Sequence, residues 1–253
     1  MPAMTLYLIA IPVVVVFSAL LSMAGLGAAF LFVPFFYYLG VPLEQAMPTA
    51  LLLNFVSLSF ASAVYVKSKL VAFRAAIPIA IAAVVLSPLG ARTAHIADQN
   101  LLLWLFAGFL IFAGAMMLFY KPQPRPAGQS TASAAALGAG VGGVAGFLGG
   151  LLGVGGGNFI VPVLNWLGFD AKVAAGTTAF VVVFSSLAGF LGHASIGEMD
   201  YAFVAVMAIC AIVGALLGSY LVRYRLSSAQ LKTVIGLVLF LVAARIIWGL
   251  VFG

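Results

Sequence analysis

The chain has 253 residues, 65% of them hydrophobic and only 6% charged, with a mean hydropathy of +1.27. No soluble domain of this length hides so much apolar surface, so the composition predicts a polytopic membrane protein. Eleven Lys and Arg against five Asp and Glu leave a charge of +6, but the bases fall in short breaks between apolar runs. That is the pattern of cytoplasmic loops, and it gives no reason to expect nucleic acid.

In chain order the apolar segments fall at 5–23, 26–40, 46–66, 72–92 and 101–120, then at 134–150, 152–168, 174–194, 201–222 and 230–251. The first Lys or Arg is Lys67, so no basic n-region precedes the first segment and no cleaved signal peptide is expected. Spanning takes about 20 residues. Segments 26–40 and 152–168 are shorter, and their length alone leaves open whether they span or re-enter. Between the two sets lies Lys121-Pro122-Gln123-Pro124-Arg125-Pro126, which reads as a cytoplasmic linker over 121–133. It divides a first repeat, 1–120, from a second, 134–253.

The two sets match at an offset of 128: Gly25 with Gly153, Gly27 with Gly155, Val33-Pro34 with Val161-Pro162, Thr49 with Thr177, Ser57 with Ser185 and Gly90 with Gly218. Charge indicates how the repeats are oriented. Lys67, Lys69 and Arg74 follow the third segment, where the second half has Glu198 and Asp200. Arg223, Arg225 and Lys232 follow the ninth, where the first half is near neutral. Basic loops stay cytoplasmic, so equivalent loops face opposite sides and both termini fall outside. The expected fold is an all-α polytopic membrane protein of two inverted-topology repeats, about five helical segments each, with Gly-rich helix breaks or re-entrant hairpins. Inverted repeats with interrupted helices are the pattern of secondary transporters, whose substrates bind near the midplane between the halves.

The densest break is Gly149-Gly150-Leu151-Leu152-Gly153-Val154-Gly155-Gly156-Gly157-Asn158. Each glycine costs a helix about 1 kcal/mol against alanine, so the helix should stop here and a new one begin near Asn158. A helix start inside the membrane offers free N–H groups and a positive dipole end, which suit an anion. Gly153, Gly155, Gly156, Gly157 and Asn158, with Gly25 and Gly27 in the first half, are therefore the main candidate substrate-binding residues. Asn54, Thr49, Thr177 and Thr178 join them as intramembrane polar groups, Asn54 being the most costly to bury unpaired. Ser57, Ser59, Ser185 and Ser186 are polar groups of the same segments, and capping or bonding back to a carbonyl accounts for such hydroxyls equally well.

Other features have structural readings. Gly138, Gly142, Gly146 and Gly150 recur every four residues and form a packing face. Gly138-x-Gly140-x-x-Gly143 has neither the preceding strand nor the following acid of a dinucleotide site. Glu44, Asp98, Asp170, Glu198 and Asp200 all lie at segment ends or in loops, which disfavours ion coupling through a buried carboxylate. His95 is expected in a loop, His193 at an interface, Arg245 snorkelling near the C-terminal end and Cys210 in the core. No cofactor, metal cluster or catalytic constellation is expected, and the chain does not read as an enzyme.

Gly149 to Gly157 leading to Val161-Pro162, followed by Ala175-Gly176-Thr177-Thr178, resembles the motif of the TauE/SafE sulfite exporter family, also called the toluene sulfonate uptake permeases. The first half carries a second copy, Gly25-Leu26-Gly27 to Val33-Pro34 and Ala46-Met47-Pro48-Thr49-Ala50, with Ala28, Ala29 and Phe30 where the second has glycines and Asn158. The resemblance covers roughly 5–250. It implies a bacterial inner-membrane carrier for small organosulfur or related anions such as sulfite, sulfoacetate or sulfonates, in which the charge pattern puts both termini in the periplasm. A channel-like anion permease and a non-transporting scaffold subunit are the alternatives. The lipid bilayer and a small anion are the expected partners; a coupling ion and a homo-oligomer stay open.

Overall fold

The computed structural model describes residues 3–23, 25–119, 131–193, 201–222 and 228–252, and within them it is built of helices alone. The first half has α1 (Ala3–Met23), α2 (Ala29–Tyr38), α3 (Leu43–Lys67), α4 (Phe73–Ile96) and α5 (Gln99–Phe119). The second has α6 (Thr131–Leu151), α7 (Gly157–Trp166), α8 (Ala171–His193), α9 (Tyr201–Val222) and α10 (Ser228–Phe252). Five of these, α3, α4, α5, α8 and α9, contain stretches long and apolar enough to cross a membrane. The linker's Lys121 to Ser130, together with Glu198, Asp200, Arg223 and Arg225, lie outside the described residues.

The repeat in the sequence is a repeat of helix boundaries. Thr131 follows Ala3, Gly157 follows Ala29, Ala171 follows Leu43 and Tyr201 follows Phe73, each by 128 positions. The two short segments are 10-residue helices, α2 and α7. At 1.5 Å per residue each covers about 15 Å, half a hydrocarbon core. Their neighbours α1 and α6 end at the glycine breaks. Gly25 and Gly27 have φ of 69° and 74°, and Gly153, Gly155 and Gly156 have φ of 68°, 76° and 78°. L-residues with a Cβ rarely tolerate this left-handed region, which is why glycine is needed there in both halves.

Packing interleaves the halves. The hairpin helix α1 lies against α9, and α6 lies against α4. In the second pair the small-residue row meets bare backbone. A Cβ on Gly146 would fall 2.5 Å from the Ala83 backbone, and Gly142 and Gly150 sit as tightly on Ile79 and Ser87. The packing role expected of this row is what the structure shows. Residue numbers rise together along α4 and α6, so the two run parallel. The same holds for α1 and α9, where Gly214 meets Val15 and Ser18, and Gly218 meets Ala19.

Equivalent helices cross antiparallel. Along α3 and α8, Leu51 meets Gly189, Asn54 meets Ser186 and Tyr65 meets Gly176. Along α5 and α10, Gly114 meets Phe240 while Leu118 meets Gly236. The starts of α3, α5 and α9 thus share one end of the bundle with the ends of α2, α4, α8 and α10. We call this end A and the opposite one end B.

Candidate functional site

The two breaks converge at the α3–α8 crossing. Asn54 on α3 is fully buried and donates from Nδ2 to Ser186 Oγ on α8 at 2.9 Å, joining the halves. Gly27 and Gly155 flank this amide. A Cβ on Gly27 would land on Asn54 Oδ1, and one on Gly155 would lie 2.5 Å from Ser186 Oγ and 2.8 Å from Asn54 Nδ2. The breaks also touch each other, since a Cβ on Gly157 would lie 2.6 Å from the Leu26 carbonyl oxygen. Gly25 rests on the Ala175 carbonyl at the start of α8, and Gly153 rests on Met47 at the start of α3. Ala175 and Met47 are again 128 apart, so each break seats itself on the third helix of the other half.

Several carbonyls of the second break have donors. Gly149 O accepts from Val154 and Gly155 N–H at 2.8 and 3.2 Å, and Ser185 Oγ donates to Gly155 O at 2.9 Å. Ser87 Oγ donates in turn to Ser185 O at 3.0 Å. The side-chain amides are left over. Asn54 Oδ1 and both polar atoms of Asn158, itself only 2% exposed, are buried without a partner, as is Thr178 Oγ1. A buried unpaired polar group costs about 1–3 kcal/mol, so these groups are poised to gain from a polar ligand. Ser186 can donate or accept, so the Asn54 amide can turn over, keep that bond and present an N–H instead. In the first turns of α2 and α7, Leu31 and Phe32 N–H donate to Ala28 O at 3.0 Å and Phe159 N–H donates to Gly156 O at 3.2 Å, so it is the N–H groups before these that have no acceptor within their own helices.

The remaining candidates divide. Thr177 is fully buried, and its Oγ1 accepts the Ala72 N–H at 3.0 Å, which caps α4; its assigned contact is structural. Thr49 is buried at the equivalent place in α3. Gly156 packs on the Ala145 carbonyl and shapes the turn. Asn54, Gly27, Gly155 and Gly157 form the meeting point, with Asn158 buried next to Gly157 in the chain; Gly25 and Gly153 anchor it.

Each break is also held by a side chain that the sequence does not tie to it. Tyr65 Oη donates to Ser22 O at 3.2 Å, and His193 Nε2 lies 2.8 Å from Gly150 O. Both pairs are related by the offset of 128. His193, the last residue of α8, is 1% exposed, and His95 belongs to the last turn of α4 rather than to a loop, its ring centroid 5.1 Å from that of His193. A cavity of about 330 Å³ at end A is lined by Glu44, Met47, His95, Gln99 and His193 among others. Arg245 sits 5.0 Å over the Tyr38 ring, and Cys210 is only partly buried.

This architecture, with five membrane-length apolar helices and paired helix breaks buried at its centre, defines a multi-pass membrane protein of transporter type. The family model described as Sulfite exporter TauE/SafE matches residues 10–246, and the chain belongs to that family. It is 26% identical over 253 residues to the probable membrane transporter protein YunE of Bacillus subtilis, covering 90% of this chain and 92% of that one. Over 113 residues it is 34% identical to the probable membrane transporter protein MJ0441 of Methanocaldococcus jannaschii, 42% of this chain and 41% of that one. Over 80 residues it is 36% identical to the Sulfite exporter TauE/SafE family protein 1 of Arabidopsis thaliana, 32% of this chain and 18% of that one. No solved structure matches the chain.

Proposed function

We propose that this protein is a secondary carrier of small organosulfur or related anions, sulfite, sulfoacetate and sulfonates being the class tested first. The observation that carries the reading is the junction of the two breaks around Asn54, whose amide oxygen is buried and unsatisfied, with a second buried, unpartnered amide on Asn158 at the start of α7. An anion stripped of water needs N–H donors in a site free of carboxylates. Here they would come from the first turns of α2 and α7 and from the two amides. Sulfur oxyanions suit such a site because several oxygens share the charge and accept from several directions at once.

The antiparallel crossing of equivalent helices supports an inverted-topology repeat, with a pseudo-twofold axis in the membrane plane and the site on it. Lys67, Lys69, Arg74 and Lys172 mark end B, and the segments joining α5 to α6 and α9 to α10 in sequence add Lys121, Arg125, Arg223 and Arg225. That bias supports a cytoplasmic end B, both termini on the other side, and residence in a bacterial inner membrane. The breaks pack on each other, which favours alternating access over an open pore and implies that substrate enters when they part.

Purified protein in proteoliposomes provides the test, with labelled sulfite, sulfoacetate and toluenesulfonate offered in turn. A carrier shows saturable flux and acceleration by unlabelled anion on the far side; a channel shows neither. Flux of none of the three would reject the reading. Retention of flux in a well-folded Gly155→Leu variant would reject the placement of the site.

A further inference from the structure

The cavity at end A touches the second break twice. Met47 on its wall is the residue on which Gly153 rests, and His193 on its wall is bonded to the carbonyl of Gly150. Gly150 O also accepts the Gly153 N–H at 3.3 Å, so one oxygen holds both the turn and the imidazole. A carbonyl can only accept, so His193 Nε2 carries the hydrogen. In the neutral ring Nδ1 is then a bare lone pair, and it is buried without a partner. His95 Nε2 is also buried and unpartnered.

The charged and titratable surroundings can be enumerated among the described residues. From α3 comes Glu44, which lines the cavity; from α4 come His95 and the exposed Arg92 one turn earlier. From α5 the cavity receives Gln99, with the exposed Asp98 beside it occupied by the Asn100 and Leu101 N–H groups. The helices α6 and α7 contain no titratable residue. With both imidazoles neutral, the one charge on the cavity lining is the Glu44 carboxylate, which repels anions. One proton on His193 Nδ1 cancels that charge and converts a lone pair into a donor. The imidazolium also sits at the C-terminal end of α6, where the helix dipole favours a cation.

We propose that this cavity is a proton-linked loading site for a small oxyanion, in which one proton bound at His193 Nδ1 and one anion are taken up together before the anion reaches the breaks. The proton comes from cavity water, and the N–H it creates donates to the anion, aided by His95 and Gln99. A buried imidazolium is costly unless an opposite charge arrives with it, and the anion supplies that charge. The equivalent place in the first half is held by Tyr65 on Ser22, and a phenol stays neutral up to about pH 10. Loading is therefore proton-linked at end A only. The identity of the anion as cargo rests on the function proposed above; the coupling of proton and anion does not.

The full chain in lipid nanodiscs, labelled with ¹⁵N in its two histidines, gives a readout free of transport. The probe is sulfoacetate, which stays fully ionised between about pH 6 and pH 8. At high pH His193 should show the Nε2–H tautomer. Added sulfoacetate should raise its protonation midpoint, and by linkage the anion's affinity should rise about tenfold per unit fall in pH while the ring is mostly neutral. H193Q, whose amide can still donate to Gly150 O, should bind with an affinity that no longer varies with pH. E44Q should bind several-fold more tightly at neutral pH. A pH-independent affinity in the wild type, an undiminished slope in H193Q, or histidine signals indifferent to sulfoacetate would each overturn the proposal. N54L separates the two readings, since it should cut flux at least about tenfold and leave the histidine titration intact. Flux absent for every anion, with the titration as described, would reject the carrier reading and leave the loading site standing.

Discussion

Asn54 shows how much one side chain changes in an otherwise duplicated frame. Its equivalent in the second half is Val182, while its partner Ser186 stands where the first half has Leu58, and Asn158 stands where it has Phe30. The polar equipment of the centre is therefore divided between the halves rather than repeated. Replacing Asn54 by leucine removes a buried amide with an unsatisfied oxygen and leaves Ser186 able to bond back to its own helix. Thermal unfolding should show stability unchanged or raised by about 1 kcal/mol, as happens when a functional polar group is removed from a core. Anion flux should nevertheless fall at least about tenfold, which corresponds to losing one charged hydrogen bond. Gly155→Ala tests the complementary point. Its left-handed φ of 76° and its closeness to Ser186 and Asn54 leave a methyl group no room. Both stability and flux should drop, the former by about 1–3 kcal/mol.

The helices were legible in the sequence to within a few residues, because glycines, Val-Pro pairs and charge breaks punctuate both halves in the same places. The fourth segment is the instructive miss. Its apolar run stops at residue 92, which predicts a loop at His95, yet α4 continues through Ile96. A helix needs only its hydrogen bonds to continue, and the apolar run marks the part that must avoid water, not the part that is helical. The contacts of the site were out of reach for a different reason. Asn54 and Ser186 are separated by 132 positions, and only the packing of α3 on α8 brings them together. The α4–α6 seam offers a paired prediction. Gly146→Ala would press a methyl onto the Ala83 backbone and should lower stability by about 1–3 kcal/mol. Gly140, on the same helix with open space around its Cα, should gain slightly from the same change, by about 0.5–1 kcal/mol. Denaturation of both variants in one detergent or lipid checks the contrast.

The molecule as a whole is polarised by charge across its two ends, and that makes sidedness a measurable property. Reporter fusions at Met1 and at Gly253 should both give the non-cytoplasmic signal, and a fusion in the 121–130 linker the cytoplasmic one. Moving several lysines into the loops of end A should weaken or reverse this pattern. A cytoplasmic signal from either terminus in the wild type would exclude the orientation proposed here.

The interleaving of hairpins has a consequence for ancestry and assembly. Because α1 is seated on α9 and α6 on α4, a half made alone leaves the long arm of its hairpin without its main partner. If the present gene arose by fusion of two copies, the forerunner could not have worked as a single unit; it would have needed a second copy inserted the opposite way up. Cutting the polypeptide within 121–130 and expressing both fragments in one cell should then restore transport, whereas either fragment alone should be cleared by proteolysis.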